Sequence, residues 1–347
     1  MKKIVSAALA ASTVIGTGVL WAQQATVVPP PWAYGFAAAA PPPSTNPAPA
    51  APAAPPAAGG GAPAAAAPAP DPTPRQAKGS TLQFTAAQAN DRFGPADWFP
   101  GDHPQPIPDI VAKGRQAANI LACGFCHYPN GQGRPENAGV GGLPYEYFVQ
   151  TMQDFRDGNR KSADPRKGNT NTMIGFAKAM TDDEIKAAAK YFAGVKRQPD
   201  YIKIVESESS PKFRINAGMF IATEGADAGM EALAGRIVEV PEDAAQTEGL
   251  RNPRSPFIAY VPVGSLAKGK SLVASSQCGT CHGANLEGLG PVPGIAGRSP
   301  TYVARQLFDM QQGFRHGVWA ELMKPVVAKL SVDDMVAIAA YTATLKP

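Results

Sequence analysis

The pentapeptides Cys123-Gly124-Phe125-Cys126-His127 and Cys278-Gly279-Thr280-Cys281-His282 share the pattern Cys-x-x-Cys-His. On a helical turn, residues i, i+3 and i+4 lie on one face. The two thiols can then form thioethers with the vinyl groups of one haem while the imidazole binds its iron. This pattern is typical of c-type haem attachment. We therefore predict two covalently bound haem c groups, attached at Cys123 and Cys126 and at Cys278 and Cys281, with His127 and His282 as iron ligands.

Other uses of paired cysteines fit these motifs poorly. A disulfide or a thioredoxin-like redox pair needs no histidine beside the second cysteine. A zinc ribbon uses four cysteines, but its pairs usually lie about 15–20 residues apart, whereas residues 127–277 separate the pairs of this chain. The two motifs contain all 4 cysteines of the chain. Haem attachment is the interpretation that uses every residue of both motifs.

The chain contains an internal repeat. A shift of 155 positions aligns the two haem motifs and continues without a gap to Gly158 and Gly313. Beyond these glycines the shift becomes 150, and the aligned pairs are then Met173 with Met323 and Met180 with Leu330. The repeat predicts two copies of one domain, each with its own haem.

Each copy is predicted to be helical, which makes the fold class mostly α. Apolar periodicity predicts helices over residues 110–122 and 145–155. A capping-box pattern begins the last helix of each copy, at Thr181 and Glu184 and at Ser331 and Asp334. We place the two domains at residues 91–199 and 263–347.

Residues 200–262 lie between the two domains. They contain β-forming runs at 201–205, 236–241 and 257–262, bounded by Pro, Gly and acidic residues. We predict a small β-rich insertion here. It either packs between the two domains or presents a strand edge to a partner.

Two further segments precede the first domain. Residues 1–22 have the basic and apolar parts of a secretory signal peptide, and the apolar run is also just long enough for an uncleaved membrane anchor. Both interpretations place the body of the protein in the periplasm. Residues 23–90 are predicted to be a disordered, Pro/Ala-rich linker. As a polyproline II spacer its Pro/Ala-rich part could reach roughly 140 Å, and a solubilising tail is the alternative.

A six-coordinate haem iron needs one more ligand besides the motif histidine. His103 and His316 occupy unrelated places in the repeat, so we interpret them as surface or structural residues. Met173 and Met323 occupy equivalent places, and we expect each to lie in a loop just before the final helix of its domain. We predict that these two methionines are the sixth ligands.

These motifs together resemble class I c-type cytochromes in tandem, as in the dihaem c-four group. The resemblance covers residues 110–199 and 263–347, and residues 200–262 are not part of it. Besides the haem motifs it is carried by Thr172-Met173, residues 180–192, residues 293–297, Met323 and Leu330-Ser331. It implies a low-spin haem with His and Met ligands in each domain and an electron-transfer role. It also implies that the carbonyl of Pro293 orients His282 through Nδ1, with Ala138 in the corresponding place of the first domain.

The predicted function is that of a periplasmic dihaem c-type cytochrome that carries single electrons between redox partner proteins and has no catalytic residues. The alternative is an electron-transfer subunit of a periplasmic dehydrogenase complex, which the N-terminal segment could tether to the membrane. A dihaem peroxidase would need an open haem site, and the paired methionines argue against one. The formal net charge of +4, with no broad basic surface, argues against nucleic acid as a partner.

Overall fold

The computed structural model describes residues 28–37 and 71–347. The signal peptide or anchor predicted over residues 1–22 lies outside the described residues, as does the greater part of the predicted linker. The described chain is mostly α-helical, and its strands are concentrated between two helical units, as the sequence predicts. Among the described residues, no helix is long and apolar enough to cross a bilayer.

The structure differs from the linker prediction at residues 28–37. Helix α1 (Pro31–Tyr34) packs into the core of the second helical unit, with Trp32 and Tyr34 buried. The hydroxyl of Tyr34 donates a hydrogen bond to Asp309 Oδ1 at 2.7 Å. Burial of two large aromatic side chains stabilises this contact in a segment that composition alone marks as unstructured.

The structure also differs from the linker prediction at residues 71–90. Helix α2 (Ala86–Ala89) begins with a capping box, and a 3₁₀ helix follows at Pro100–Asp102. Trp98 is buried in a small apolar cluster, and its indole Nε1 donates to the carbonyl of Leu250 at 2.7 Å. This stretch is therefore joined to the insertion, which lies far away along the chain.

The first helical unit contains the helices α3 (Asp109–Ala112), α4 (Cys123–His127), α5 (Tyr145–Asp157), α6 (Gly168–Ala179) and α7 (Asp182–Ala193), with a 3₁₀ helix at Gln116–Ala118. The predicted start of α7 is confirmed, because Thr181 and Glu184 form a capping box. The helix predicted over residues 110–122 is wrong beyond Ala112. Gly114 and Asn119 take left-handed conformations, with φ of 64° and 53°. The chain turns back between them, so that Arg115 and Ile120 form an antiparallel bridge.

The second helical unit contains the helices α8 (Ser265–Ser275), α9 (Cys278–His282), α10 (Pro300–Gln311), α11 (Lys324–Val327) and α12 (Val332–Ala343), with a 3₁₀ helix at Ala320–Met323. Its capping box at Ser331 and Asp334 is confirmed. Helix α8 crosses α12 closely at Gly269, where a Cβ atom would clash with the backbone of Ala337. The glycine is needed for this close approach.

The insertion between the units carries seven strands: β1 (Ile202–Glu206), β2 (Ser209–Pro211), β3 (Phe213–Asn216), β4 (Met219–Ala222), β5 (Met230–Ala232), β6 (Val238–Pro241) and β7 (Phe257–Val261). The short strands β8 (Gly288–Leu289) and β9 (Val292–Pro293) belong to the second unit. The three predicted runs form one sheet in the order β1-β7-β6, with β1 and β7 parallel and β6 and β7 antiparallel. Val238, Val240 and Val261 of this sheet are buried in the core of the second unit. The sheet therefore packs on that unit, which covers most of its apolar side chains, while Val205 of β1 is 39% exposed.

The two helical units meet through a reciprocal pair of hydrogen bonds. Arg160 Nη2 donates to Tyr302 Oη at 3.0 Å, and Arg315 Nη2 donates to Tyr147 Oη at 2.5 Å. The two tyrosines are related by the shift of 155 positions, and the structure shows that the same shift still relates Arg160 and Arg315, two residues past Gly158 and Gly313. The units are thus arranged about a local two-fold axis. Both guanidinium groups also donate to Gln306 Oε1 at 2.9 Å.

Glu239 joins the insertion to the second unit by a buried carboxylate. Its Oε2 accepts hydrogen bonds from Ser299 Oγ at 2.7 Å and from the backbone N–H of Thr301 at 3.3 Å, at the start of α10. Its Oε1 has no hydrogen-bond partner in the described chain. Burial raises the pKa of Glu239 to about 7, so the folded protein holds a proton there that the unfolded chain releases at lower pH.

Replacing Glu239 by Gln should alter how stability depends on pH. Because the folded state binds the proton more tightly, wild-type stability falls as pH rises from about 4.5 through 7. The variant lacks this fall, so at pH 8 it should be more stable than the wild type by up to about 3 kcal/mol, with little difference at pH 4. Chemical unfolding at a series of pH values measures the effect. Glu242→Gln, at an exposed residue beside the same strand, is the matched control, and an equal effect from both variants would contradict this account.

Candidate haem sites

The two Cys-x-x-Cys-His motifs form the short helices α4 and α9. Each helix is 5 residues long and places its two cysteines and its histidine on one face. Both helices end in an unusual backbone conformation, at Tyr128 with φ of 62° and at Gly283 with φ of 83°. The chain then leaves the helix sharply and returns beneath the histidine.

That returning chain holds each histidine ring by its Nδ1 atom. Nδ1 of His127 lies 2.7 Å from the carbonyl oxygen of Ala138, and Nδ1 of His282 lies 2.8 Å from that of Pro293. A carbonyl oxygen can only accept, so Nδ1 carries the hydrogen and Nε2 keeps a free lone pair. Burial lowers the pKa of both imidazoles, which favours this neutral form. The implied contact with Pro293 is confirmed, and Ala138 does the same in the first unit.

A large apolar cavity adjoins the first motif. Its volume is about 620 Å³, which is within the usual range for sites that bind small molecules and cofactors. The side chains of Cys123, Cys126 and His127 lie on its wall. The rest of the wall is mainly apolar, and includes Val140, Leu143, Phe148, Phe155 and Phe176. This cavity has the shape and the surface expected of a haem site.

Met173 lies on the wall of the same cavity. It is a residue of helix α6, so the prediction that it lies in a loop is wrong. Met323 is the last residue of a 3₁₀ helix, again not in a loop, and it packs against the core of the second unit. Met152 and Met180 also line the first cavity, and Met152 was not anticipated from the sequence.

Three buried cations also line the first cavity. Lys167 is 2% exposed, and its Nζ has no hydrogen-bond partner within the described chain. Burial lowers the pKa of Lys167 to about 7. Arg160 and Arg305 donate to neutral oxygens of side chains and backbone. Asp309 and Glu136 lie near Lys167 and Arg305 but form no direct ion pair with them in the described chain. Buried cations that lack such a contact are costly, and haem has two propionate carboxylates. The residues present therefore fit a haem, with Lys167, Arg160 and Arg305 placed to hold its carboxylates.

Lys167 could not be anticipated from the repeat, because the equivalent position of the second domain, 150 residues further on, is Gly317. Arg305 belongs to the other helical unit, and local sequence cannot show that it reaches the first cavity. The two remaining histidines lie away from the cavity wall. His103 is buried with Nε2 3.1 Å from Asp97 Oδ1, and His316 is exposed. These positions agree with their interpretation as structural and surface residues.

The fold and both sites define a tandem pair of c-type haem-binding domains. Residues 111–196 match the family described as Cytochrome c, and residues 264–341 match the family described as Cytochrome C oxidase, cbb3-type, subunit III. Cytochrome c4 of Pseudomonas aeruginosa is 25% identical over 65% of this chain and 84% of its own length. Cytochrome c-554(548) of Halomonas halodenitrificans is 37% identical over 22% of this chain and 93% of its own length. A protein named Thiosulfate dehydrogenase electron acceptor, from Thiomonas intermedia, is 24% identical over 66% of this chain and 79% of its own length.

This chain therefore belongs to the cytochrome c family. It has two domains of that family and binds two covalent haem c groups, whose irons each take up and release one electron. Each domain contains one of the two cysteine pairs, Cys123 with Cys126 and Cys278 with Cys281. The protein serves in electron transport and exchanges electrons with redox partner proteins.

Changing Lys167 to Gln should lower the midpoint potential of the first haem. A positive charge beside the haem stabilises its reduced state, so at about pH 6, below the pKa of Lys167, its loss should shift that potential by roughly 20–70 mV. The second haem should be unaffected, and a spectroelectrochemical titration that resolves both haems measures this. Lys178→Gln is the control, because Lys178 is an exposed residue of the same helix and its charge is screened by solvent. Equal potentials in wild type and Lys167→Gln would show that the ammonium group does not face the haem.

Proposed function

We propose that this protein shuttles single electrons between partner proteins in the periplasm and catalyses no reaction of its own. His127 with Met173, and His282 with Met323, are the proposed axial ligands of its two irons. The observation that carries the proposal is that His127 and Met173 lie on the wall of one mainly apolar cavity. An iron bound by His and Met has no open position for a substrate, and Met ligation raises its potential. Low-spin iron that keeps its ligands needs little rearrangement when its charge changes.

The repeat distinguishes Met173 from the other methionines of the cavity. The residue equivalent to Met152 in the second domain is Leu307, and the residue equivalent to Met180 is Leu330. Neither leucine can bind iron. Met173 is the methionine on the first cavity wall that keeps a methionine, Met323, as its counterpart. Because the two domains are copies of one fold, we expect their haems to have the same ligands, and this expectation favours Met173 and Met323.

Replacing Met173 or Met323 by Ala should convert one haem to the high-spin state and leave the other unchanged. Each variant should lose half of the weak near-infrared band that marks Met–Fe(III) coordination. The potential of the altered haem should fall by on the order of 100 mV. Absorption spectra of the oxidised proteins and a redox titration measure these changes.

Met180→Leu is the matched control, because it gives the first cavity the residue that the second domain already has. It should keep the full near-infrared band. Loss of the band in Met180→Leu, or a native protein with one high-spin haem, would contradict the proposed ligands and point to a haem with an open site.

Location in the periplasm is part of the proposal. Its supports are the signal-like pattern of residues 1–22 and the attachment of haem to Cys-x-x-Cys-His motifs. Whether residues 1–22 are cleaved or remain as an anchor determines whether the carrier diffuses freely. We propose domain boundaries at residues 91–199 and 263–347, with residues 200–262 as the insertion.

A second candidate function is that of an electron-transfer subunit in a dehydrogenase complex. Its support is the similarity to the Thiomonas intermedia protein whose name describes an electron acceptor of thiosulfate dehydrogenase. The two functions predict different sizes for the native particle. As a carrier, the protein released from the periplasm should elute in size-exclusion chromatography at the volume of the purified chain. Elution with a larger enzyme at both low and moderate salt concentration, together with reduction by thiosulfate, would favour the subunit.

A further inference from the structure

The two haem-attachment loops are equivalent in sequence but differ in their surroundings. The first follows its motif at residues 128–137, and the second occupies the equivalent residues 283–292. In the first loop every residue except Arg134 is buried. In the second loop the only buried residue is Leu286. Something covers the first loop that the second lacks.

Part of the cover comes from the insertion. Arg251 lies with its guanidinium carbon 4.2 Å from the ring centre of Phe125, inside the first haem motif, and donates a hydrogen bond to the Phe125 carbonyl. The hydroxyl of Tyr201 donates to the carbonyl of Gly133 at 2.9 Å. Arg251 is itself 8% exposed, so these contacts cover part of the first motif, whose Phe125 and Cys126 are half-buried.

The rest of the cover comes from the chain before the first domain. The carbonyl of Arg92 accepts a hydrogen bond from the backbone N–H of Ala122 at 3.0 Å, immediately before the first motif. The indole of Trp98 donates a hydrogen bond to the carbonyl of Leu250. Asp102 forms an ion pair with Arg254 at 2.5 Å. Residues 71–102 and 244–255 thus form one joined structure over the first motif, which we call the cap.

The second motif is open by comparison. Cys281, the second thioether residue, is exposed, and so is its neighbour Thr280, which replaces the capped Phe125. Leu289 in the following loop is 59% exposed. In the described chain, the hydrogen bonds of residues 278–293 all remain within residues 277–298. Neither the cap nor the insertion forms a hydrogen bond with this motif in the described chain.

We propose that electrons enter and leave the protein at the second haem, beside Cys281, and that the first haem exchanges electrons only through the second. Transfer between proteins requires the haem edges of the two partners to come close, and the edge attached to an exposed cysteine is the one that a partner can approach. A small patch is enough, because redox encounters use small interfaces. Cys126 is less exposed than Cys281, and the cap contacts its neighbours Ala122 and Phe125.

The position of the first cavity supports this route. Helix α10 of the second unit supplies part of its wall, through Tyr302, Arg305, Gln306 and Asp309. The first haem thus adjoins the second domain on one side and the cap on another. Its electrons pass into the second domain more directly than into a partner bound outside.

Charge changes at Leu289 test the proposal, which rests on both haems being redox-active. Fully reduced protein is mixed in a stopped-flow instrument with low concentrations of ferricyanide, a trianion, at low ionic strength. Leu289→Lys should speed oxidation by about 2- to 4-fold and Leu289→Glu should slow it by a similar factor. The absorbance changes of both haems should show the altered rate in full. With tris(phenanthroline)cobalt(III), a trication, the two effects should exchange signs, which damage to the fold would not produce.

Leu82→Lys and Leu82→Glu make the same charge changes on an exposed residue of the cap and should leave the oxidation of both haems unchanged. If the Leu289 variants alter only half of the absorbance change, or if the Leu82 variants alter the other half, each haem has its own port and the proposal is wrong. If neither haem of the wild type reacts with ferricyanide, the electron-carrier function itself fails.

Discussion

Two arginine–tyrosine pairs, exchanged across a local two-fold axis, join the two halves of this protein. Arg160 and Arg315 are both buried and share Gln306 as an acceptor, so each positive charge needs its tyrosine oxygen. Although burial alone would raise it, the pKa of Tyr147 is lowered to about 8 by the guanidinium groups of Arg315 and Arg160. Tyr147, Arg160 and Tyr302 also line the first haem cavity. The bonds that hold the halves together therefore also shape a cofactor site.

Local patterns in the sequence predicted the parts of the structure that depend on near neighbours. Both haem motifs and both capping boxes are set by residues only a few positions apart. The carbonyl beneath each histidine, which the resemblance to class I cytochromes implied, belongs to a residue 11 positions further on. The prediction of a helix over residues 110–122 was wrong because Gly114 and Asn119 adopt left-handed backbone conformations that interrupt the helix despite the apolar pattern. The prediction of a loop around Met173 was wrong for the opposite reason. The residues there are mostly polar and show little apolar periodicity, yet they form helix α6.

Contacts between distant residues could not be predicted in the same way. The indole of Trp98 finds its acceptor in the insertion, and the hydroxyl of Tyr34 finds its acceptor in α10. Each of these side chains lies in or beside a segment whose composition suggests a linker. The buried charge of Lys167 likewise depends on a cavity that elements from both halves enclose. The insertion changes the symmetry of a duplicated protein, since it covers one of two equivalent loops and leaves the other open.

The packing of α1 has a consequence for how far the protein can move from a point of attachment. Residues 28–37 rest on the second helical unit, and the described chain resumes at Asp71, the first residue of the cap. Both ends of the intervening Pro/Ala-rich stretch are thereby fixed to the same folded body. Its length, however extended, adds nothing to the distance between that body and anything bound upstream. The Pro/Ala-rich stretch therefore cannot serve as a spacer between the folded body and an attachment point that precedes Val28.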